Sequence, residues 1–250
     1  MSEKIIDVFS RIVIISVLSL VLASSLNIKT VNAQAGQVTL NPTDDTYVDS
    51  SVPELNHGNA SYIVIGWSNL IETVHTFGWL KFDLSQVPSG AEVDGATLQL
   101  YALPWYNEMD NVSAYSSPDN SWTEMTLTYA NMPSYNSTPL CTTLVTTSVT
   151  SSGLWCNWSV VQAVENNLIS NSKEVTIVLS EPSITSSLFG FAFASKEYNT
   201  TSEEWSPKLT IYWNSAVPEF TTFIYLPFFM IATLMGVTLY KKKAMLHRRL

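Results

Sequence analysis

Apolar side chains recur at every second position through most of this chain, and that period admits little besides half-buried β-strands. Leu80, Phe82 and Leu84 alternate with Phe77, Trp79, Lys81 and Asp83. Ala96, Leu98, Leu100 and Ala102 alternate with Thr97, Gln99 and Tyr101, and Val175, Ile177 and Leu179 with Thr176, Val178 and Ser180. Phe189, Phe191 and Phe193 repeat the pattern, as do Leu209, Ile211 and Trp213. Turn-forming runs separate these stretches: Pro88-Ser89-Gly90, Asp94-Gly95 and Ser151-Ser152-Gly153. One helix is expected where Val160, Val161, Val164 and Leu168 fall at helical spacing, behind a capping-box pattern beginning at Ser159. Many strands and a single helix, without an internal repeat, predict an all-β, two-sheet antiparallel sandwich of jelly-roll type over residues 36–214.

Both ends of the chain break this pattern. Residues 12–26 are apolar, follow Lys4 and Arg11, and lead into Val31-Asn32-Ala33-Gln34-Ala35. That order of charged, apolar and small-residue regions predicts a signal peptide over residues 1–35, with an uncleaved anchor as the alternative. Residues 220–240 carry no charge and run into Lys241-Lys242-Lys243 and Arg248-Arg249. At ~1.5 Å per helical residue such a stretch crosses a ~30 Å hydrocarbon core, and the basic tail, residues 241–250, stays cytoplasmic. A buried core helix is the competing reading. The module would then lie outside the cell, held at the membrane by a C-terminal transmembrane helix.

Charge narrows the partners. Within residues 36–214 stand four lysines, Lys81, Lys173, Lys196 and Lys208, against eighteen acids, since Glu3, Asp7 and Glu219 lie outside. That segment carries −14, compared with −9 for the whole chain. Such a surface excludes nucleic acid, whose phosphates need clustered Lys and Arg. Both cysteines, Cys141 and Cys156, fall in the exported part, where an oxidising compartment favours a disulfide between them; two buried free thiols are the alternative. Asn-x-Ser/Thr sequons stand at Asn59, Asn111, Asn136, Asn157 and Asn199, and Asn136 is the weakest because Pro139 follows its Thr138.

Several stretches in order resemble the disaggregatase-related (DNRLRE) carbohydrate-binding module family. They are Asp45-Thr46-Tyr47-Val48, Asn56-His57-Gly58, Leu80-Lys81-Phe82-Asp83-Leu84-Ser85 with Val87-Pro88-Ser89-Gly90, and Ala96-Thr97-Leu98-Gln99-Leu100-Tyr101. Trp122-Thr123-Glu124, Thr128-Tyr129-Ala130-Asn131-Met132-Pro133, Phe193-Ala194-Ser195-Lys196-Glu197 and Pro207-Lys208-Leu209-Thr210-Ile211 complete the match over residues 37–213. Lys196 stands where many relatives carry Arg, and residues 141–156 lie outside the pattern. The resemblance implies a jelly-roll module that binds polysaccharide and does not hydrolyse it. Val217-Pro218-Glu219-Phe220, placed against the apolar span, resembles the PEF-CTERM sorting signal of archaeal surface proteins. That resemblance implies processing by an archaeosortase-type enzyme.

A sugar's C–H face stacks on an aromatic ring, and neighbouring polar groups orient its hydroxyls. Phe77, Trp79 and Lys81 on one strand face, with Tyr101 on a neighbour, meet that requirement, as do Trp67 and the Trp105-Tyr106 turn. The competing reading packs the strand aromatics and sets Trp122 in the core, with Glu124 anchoring the adjoining turn. A structural calcium would draw on Asp44, Asp45, Asn56 and Glu197, from opposite ends of the module; alternatively Glu197 pairs with Lys196 or Lys81. Glu203 and Glu204 are sequence neighbours that point to opposite faces, and the three histidines are scattered, so no hydrolytic pair forms and an enzyme is not expected. The sequence therefore predicts a cell-surface glycan-binding module. Its alternative is a structural surface-layer or adhesion protein without a glycan ligand.

Overall fold

The computed structural model describes residues 35–68, 74–105, 108–148, 152–182, 190–198, 205–214 and 235–236. The signal segment up to residue 34, the Pro-Glu-Phe motif, most of the apolar span, Tyr106, Asn199 and the Trp67 side chain lie outside these. Among the described residues no helix is long and apolar enough to cross a membrane. Ala33–Ala216 forms one compact unit; Met1–Asn32 and Val217–Leu250 form another, in which only residues 235–236 are described.

Among the described residues of Ala33–Ala216, eleven strands and one helix follow in the order β1 (Gly36–Leu40), β2 (Asp44–Asp49), β3 (Tyr62–Ser68), β4 (Val74–Asp83), β5 (Glu92–Ala102) and β6 (Glu108–Ser117). Then come β7 (Cys141–Thr147), β8 (Leu154–Ser159), α1 (Val161–Ile169), β9 (Glu174–Ser180), β10 (Phe191–Ala194) and β11 (Lys208–Asn214). Every pairing is antiparallel. The hydrogen-bonded path runs β1-β11-β5-β10-β3-β4-β9-β6-β7, with β8 added on β5 and β2 on β4. Strand β3 pairs with both β10 and β4 and so joins two layers. The result is the expected all-β sandwich.

One face of each layer supplies the main core, as the period of two requires. Leu98, Leu100, Ile63, Ile65, Phe191, Phe193 and Ile211 meet Leu80, Phe82, Ile177, Leu179 and Val112 in one cluster. Trp158 of β8 joins it and donates its indole N–H to the Val112 carbonyl at 2.8 Å, which ties the layers together. The helix buries Ala163 and Val164. Its N-cap is Val160 rather than Ser159, with no side-chain cap; Ser159 remains in β8 opposite Thr97. The strand register there holds Ser159 in extended backbone, which overrides the local capping signal.

The outer face of the second layer is not open. Residues 118–137 lie over it, and Trp122, Leu127, Tyr129, Met132 and Tyr135 pack on Val48, Phe77, Trp79, Tyr115 and Val178. Asn120 and Trp122 fasten the cover: the Asn120 amide donates to the Glu174 carbonyl (3.1 Å), and the Trp122 indole to Thr176 Oγ1 (3.0 Å). At the other end Asn56 donates to the Glu124 and Leu127 carbonyls at 2.6 and 2.7 Å. Gly58 sits so close below that a Cβ there would collide with the Glu124 carbonyl oxygen. The Asn-His-Gly turn is thus the floor on which the cover rests.

Candidate glycan-binding face

The two layers present opposite outer surfaces, and the predicted sugar platform falls on the covered one. Trp79 has 0 % exposure and Phe77 is buried, both beneath residues 118–137. Trp79 meets Trp122 edge-on at 5.8 Å and Tyr135 at 6.4 Å. Lys81, 5 % exposed, donates to the Trp122 carbonyl at 2.6 Å and pairs with Asp44 at 3.1 Å. These three side chains bind the protein's own chain, so they offer no face to a sugar. Alternation told which way they point but not what covers them.

The first layer carries the aromatic face instead. Along β5, Thr97, Gln99 and Tyr101 point away from the core; opposite them on β8 stand Ser159, Asn157 and Trp155. Strand β11 adds Lys208 opposite Gln99, and Trp205 lies just before that strand. The Tyr101 ring lies 4.0 Å from that of Trp205 and 5.5 Å from that of Trp155. The Lys208 ammonium lies 5.2 Å from the centre of the Trp155 ring, a cation–π contact. Gln99 donates to Asn157 Oδ1 at 2.9 Å. All eight side chains are part- or fully exposed.

Small residues extend this face. Ala192 and Ala194 of β10, with Leu103, form a buried apolar floor on which Tyr101, Trp205 and Tyr62 rest. Trp105, 39 % exposed, lies beside Tyr62 at 5.1 Å. Of the predicted ligand-binding residues, the fold thus gathers Tyr101 and Trp105 on this face, together with Tyr62, Trp155 and Trp205. The sequence held a signal for Trp155, which alternates with the core residues Cys156 and Trp158. Trp205, in an irregular stretch, had none.

The acidic residues assemble where β2, the cover and the turn after β10 meet. Asp45, Glu124 and Glu197 each bring one carboxylate oxygen to within 4.8 Å of the others. The Asp45 backbone N–H donates to Glu124 Oε2 (3.1 Å), the Lys196 N–H donates to Asp45 Oδ2 (2.9 Å), and the Lys196 ammonium binds Glu124 (2.8 Å) and Glu197. Burial pushes the Asp45 carboxyl up to about 8. Burial works against the Lys196 ammonium, but Glu124 and Glu197 carry its pKa above the usual lysine range. Asp44 and Asn56 do not face this cluster with spare oxygens. Asp44 pairs with Lys81 and accepts the Glu124 N–H at 3.1 Å, while Asn56 Oδ1 accepts from Gly58 at 3.1 Å. Glu124, 79 residues from Asp45, takes their place.

Cys141 and Cys156 are free thiols. Cys141 on β7 stands opposite Ala114, and Cys156 on β8 opposite Leu100, in different layers. The expected disulfide is therefore corrected: strand register decides where each thiol lies, and Cys156 joins the core, where burial pushes it up to about 12. Asn59, Asn111 and Asn157 are exposed.

The described residues thus form an antiparallel sandwich with an aromatic, hydrogen-bonding outer face. The model of carbohydrate-binding module family 96 matches residues 36–213, and the chain belongs to that family. A comparison with curated proteins found no match. Family membership supports carbohydrate binding, and modules of this kind are generally non-catalytic.

Proposed function

We propose that this chain is a non-catalytic module that holds a neutral polysaccharide against the Trp155–Tyr101–Trp205 face. The observation that carries the reading is the row of part-exposed rings flanked by Gln99, Asn157 and Lys208 on one side of one sheet. Rings bind the apolar faces of successive pyranoses; the amides and the ammonium orient hydroxyls. Charge favours an uncharged ligand. Two of the four lysines, Lys81 and Lys196, are engaged with carboxylates, and Lys208 is the lysine found against these rings. A polyuronate would meet a domain of charge −14 with little to offset it.

Jelly-roll connectivity and the disaggregatase-related branch are the finer readings that the matching stretches support. The location proposed is the cell surface, with the apolar residues 220–240 as membrane anchor and an archaeosortase-type enzyme as processing partner. Sequencing of the mature N-terminus tests the export step: Gly36 as first residue is expected, and an intact Met1 refutes cleavage.

Affinity electrophoresis of the full-length protein through gels of neutral glucan, xylan or mannan, beside polyuronates, tests the function. Retardation by a neutral polymer that Trp155→Ala weakens is the expected result. A folded protein retarded by none of them would instead support a structural or adhesive surface protein.

A further inference from the structure

The carboxylate cluster contains two buried oxygens, Asp45 Oδ1 and Glu197 Oε2, that have no hydrogen-bond partner. Asp45 is 1 % exposed, so water does not satisfy its oxygen freely. A buried acceptor left bare is destabilising, and more so when charged. Both bare oxygens belong to residues of one three-carboxylate group whose ligand atoms lie within 4.8 Å of each other. With all three carboxylates ionised, as a bound cation would require, the single Lys196 ammonium leaves two negative charges for the ion to offset. Asp44 and Lys81 nearby neutralise each other and change nothing.

We propose that Asp45, Glu124 and Glu197 bind one divalent, oxygen-seeking cation, of which calcium is the physiological fit. Hard cations of this size take oxygen ligands from carboxylates, carbonyls and water in flexible geometry. Asp45 Oδ1 and Glu197 Oε2 are the two oxygens available to it, and Glu124 supplies the third group. Lys196 keeps its contacts to Glu124 and to the other oxygen of Glu197. The three ligands come from β2, the cover and the turn after β10, so the ion ties together stretches 73 to 152 residues apart in sequence. Its role is structural: it fixes the cover over Trp79 and the turn that leads toward β11.

Calorimetric titration of the full-length protein with calcium chloride at pH 7.5, after treatment with chelator, is the test. Saturable uptake of one ion per chain is expected, with a rise in Tm of about 5–10 °C at a hundredfold excess over Kd. Glu197→Gln, at a part-exposed turn, should weaken uptake at least about tenfold and keep the wild-type circular dichroism spectrum; Asp45→Asn should abolish it. Absence of uptake by the wild-type protein at millimolar calcium overturns the proposal, whatever the variants do. So does uptake unchanged in Glu197→Gln, which would place the ion elsewhere. A Tm indifferent to calcium that falls as pH rises from 5 to 9 would give the two oxygens a shared proton instead, and also overturns it.

Discussion

Trp155 on β8 stands directly across from Tyr101 on β5, their rings 5.5 Å apart at 67°, and the Lys208 ammonium caps the indole from β11. Three strands thus converge on one ring. Strand pairing, rather than loop conformation, sets the spacing of the face, so a ligand meets it preorganised.

Removal of a ring from this face should weaken binding without unfolding the protein. Trp155→Ala and Tyr101→Ala are each expected to raise Kd about 3- to 10-fold, the equivalent of ~0.5–1.5 kcal/mol per aromatic contact. Titration calorimetry with the polysaccharide found to bind, beside a thermal melt, checks this. Equal losses of Tm and affinity would point to packing rather than contact.

Trp79 behaves in the opposite way. It has no exposed surface and anchors the cover through Trp122 and Tyr135. Trp79→Ala should cost about 3–5 kcal/mol of stability, a fall in Tm of roughly 10 °C, while the folded fraction binds sugar normally. Urea unfolding with binding measured on the same sample decides it.

Thiol chemistry should separate the cysteines. Cys156 is buried among core residues with its pKa pushed up to about 12, while Cys141 is part-exposed. Maleimide labelling of the native protein is expected at Cys141 alone, and Cys156 should react only on unfolding. Mild reductant should leave Tm unchanged; a drop of several degrees would reinstate a disulfide.

Acid should destabilise the module through its histidines. His57 stacks on Tyr47 at 4.1 Å with its Nε2 buried and unpartnered, and burial holds its pKa below the usual 6.5. Burial lowers His75 as well. In each case the unfolded chain takes up the proton first, so stability is full above pH ~6.5 and declines as pH falls toward the folded-state values. Asp45, its carboxyl pushed up to about 8, contributes the opposite slope over the same window, so the histidine part is read from the difference between two Tm series from pH 7.5 to 5: relative to the wild type, His57→Gln should lose less Tm as pH falls. An unchanged slope in that variant would assign the effect to other groups.

Alternation correctly sorted Leu80, Phe82, Leu98, Leu100, Ile177 and Leu179 onto the inner faces, because in a strand the side-chain direction is a local property. It failed on Phe77, Trp79 and Lys81 for the same reason. Direction is local, but cover is not, and the segment that hides these residues begins about forty positions later with no regular period of its own. Glu124 escaped the metal reading because only the folded cover brings it to Asp45. Nothing local distinguishes Asp44 from Asp45 as a ligand, although one faces Lys81 and the other the carboxylate cluster.

By itself the sequence determined the strands, their inner and outer sets, the acidic charge and the membership of residues 36–213 in one module. Each of these depends on composition or on a period of two, which neighbouring residues specify. Only the tertiary structure decided which outer face stays open, that Trp155, Tyr101 and Trp205 meet, and that Asp45, Glu124 and Glu197 come together. Those juxtapositions follow from pairing between strands distant in the chain and from the path of an irregular segment, and neither leaves a periodic trace in the residues it joins.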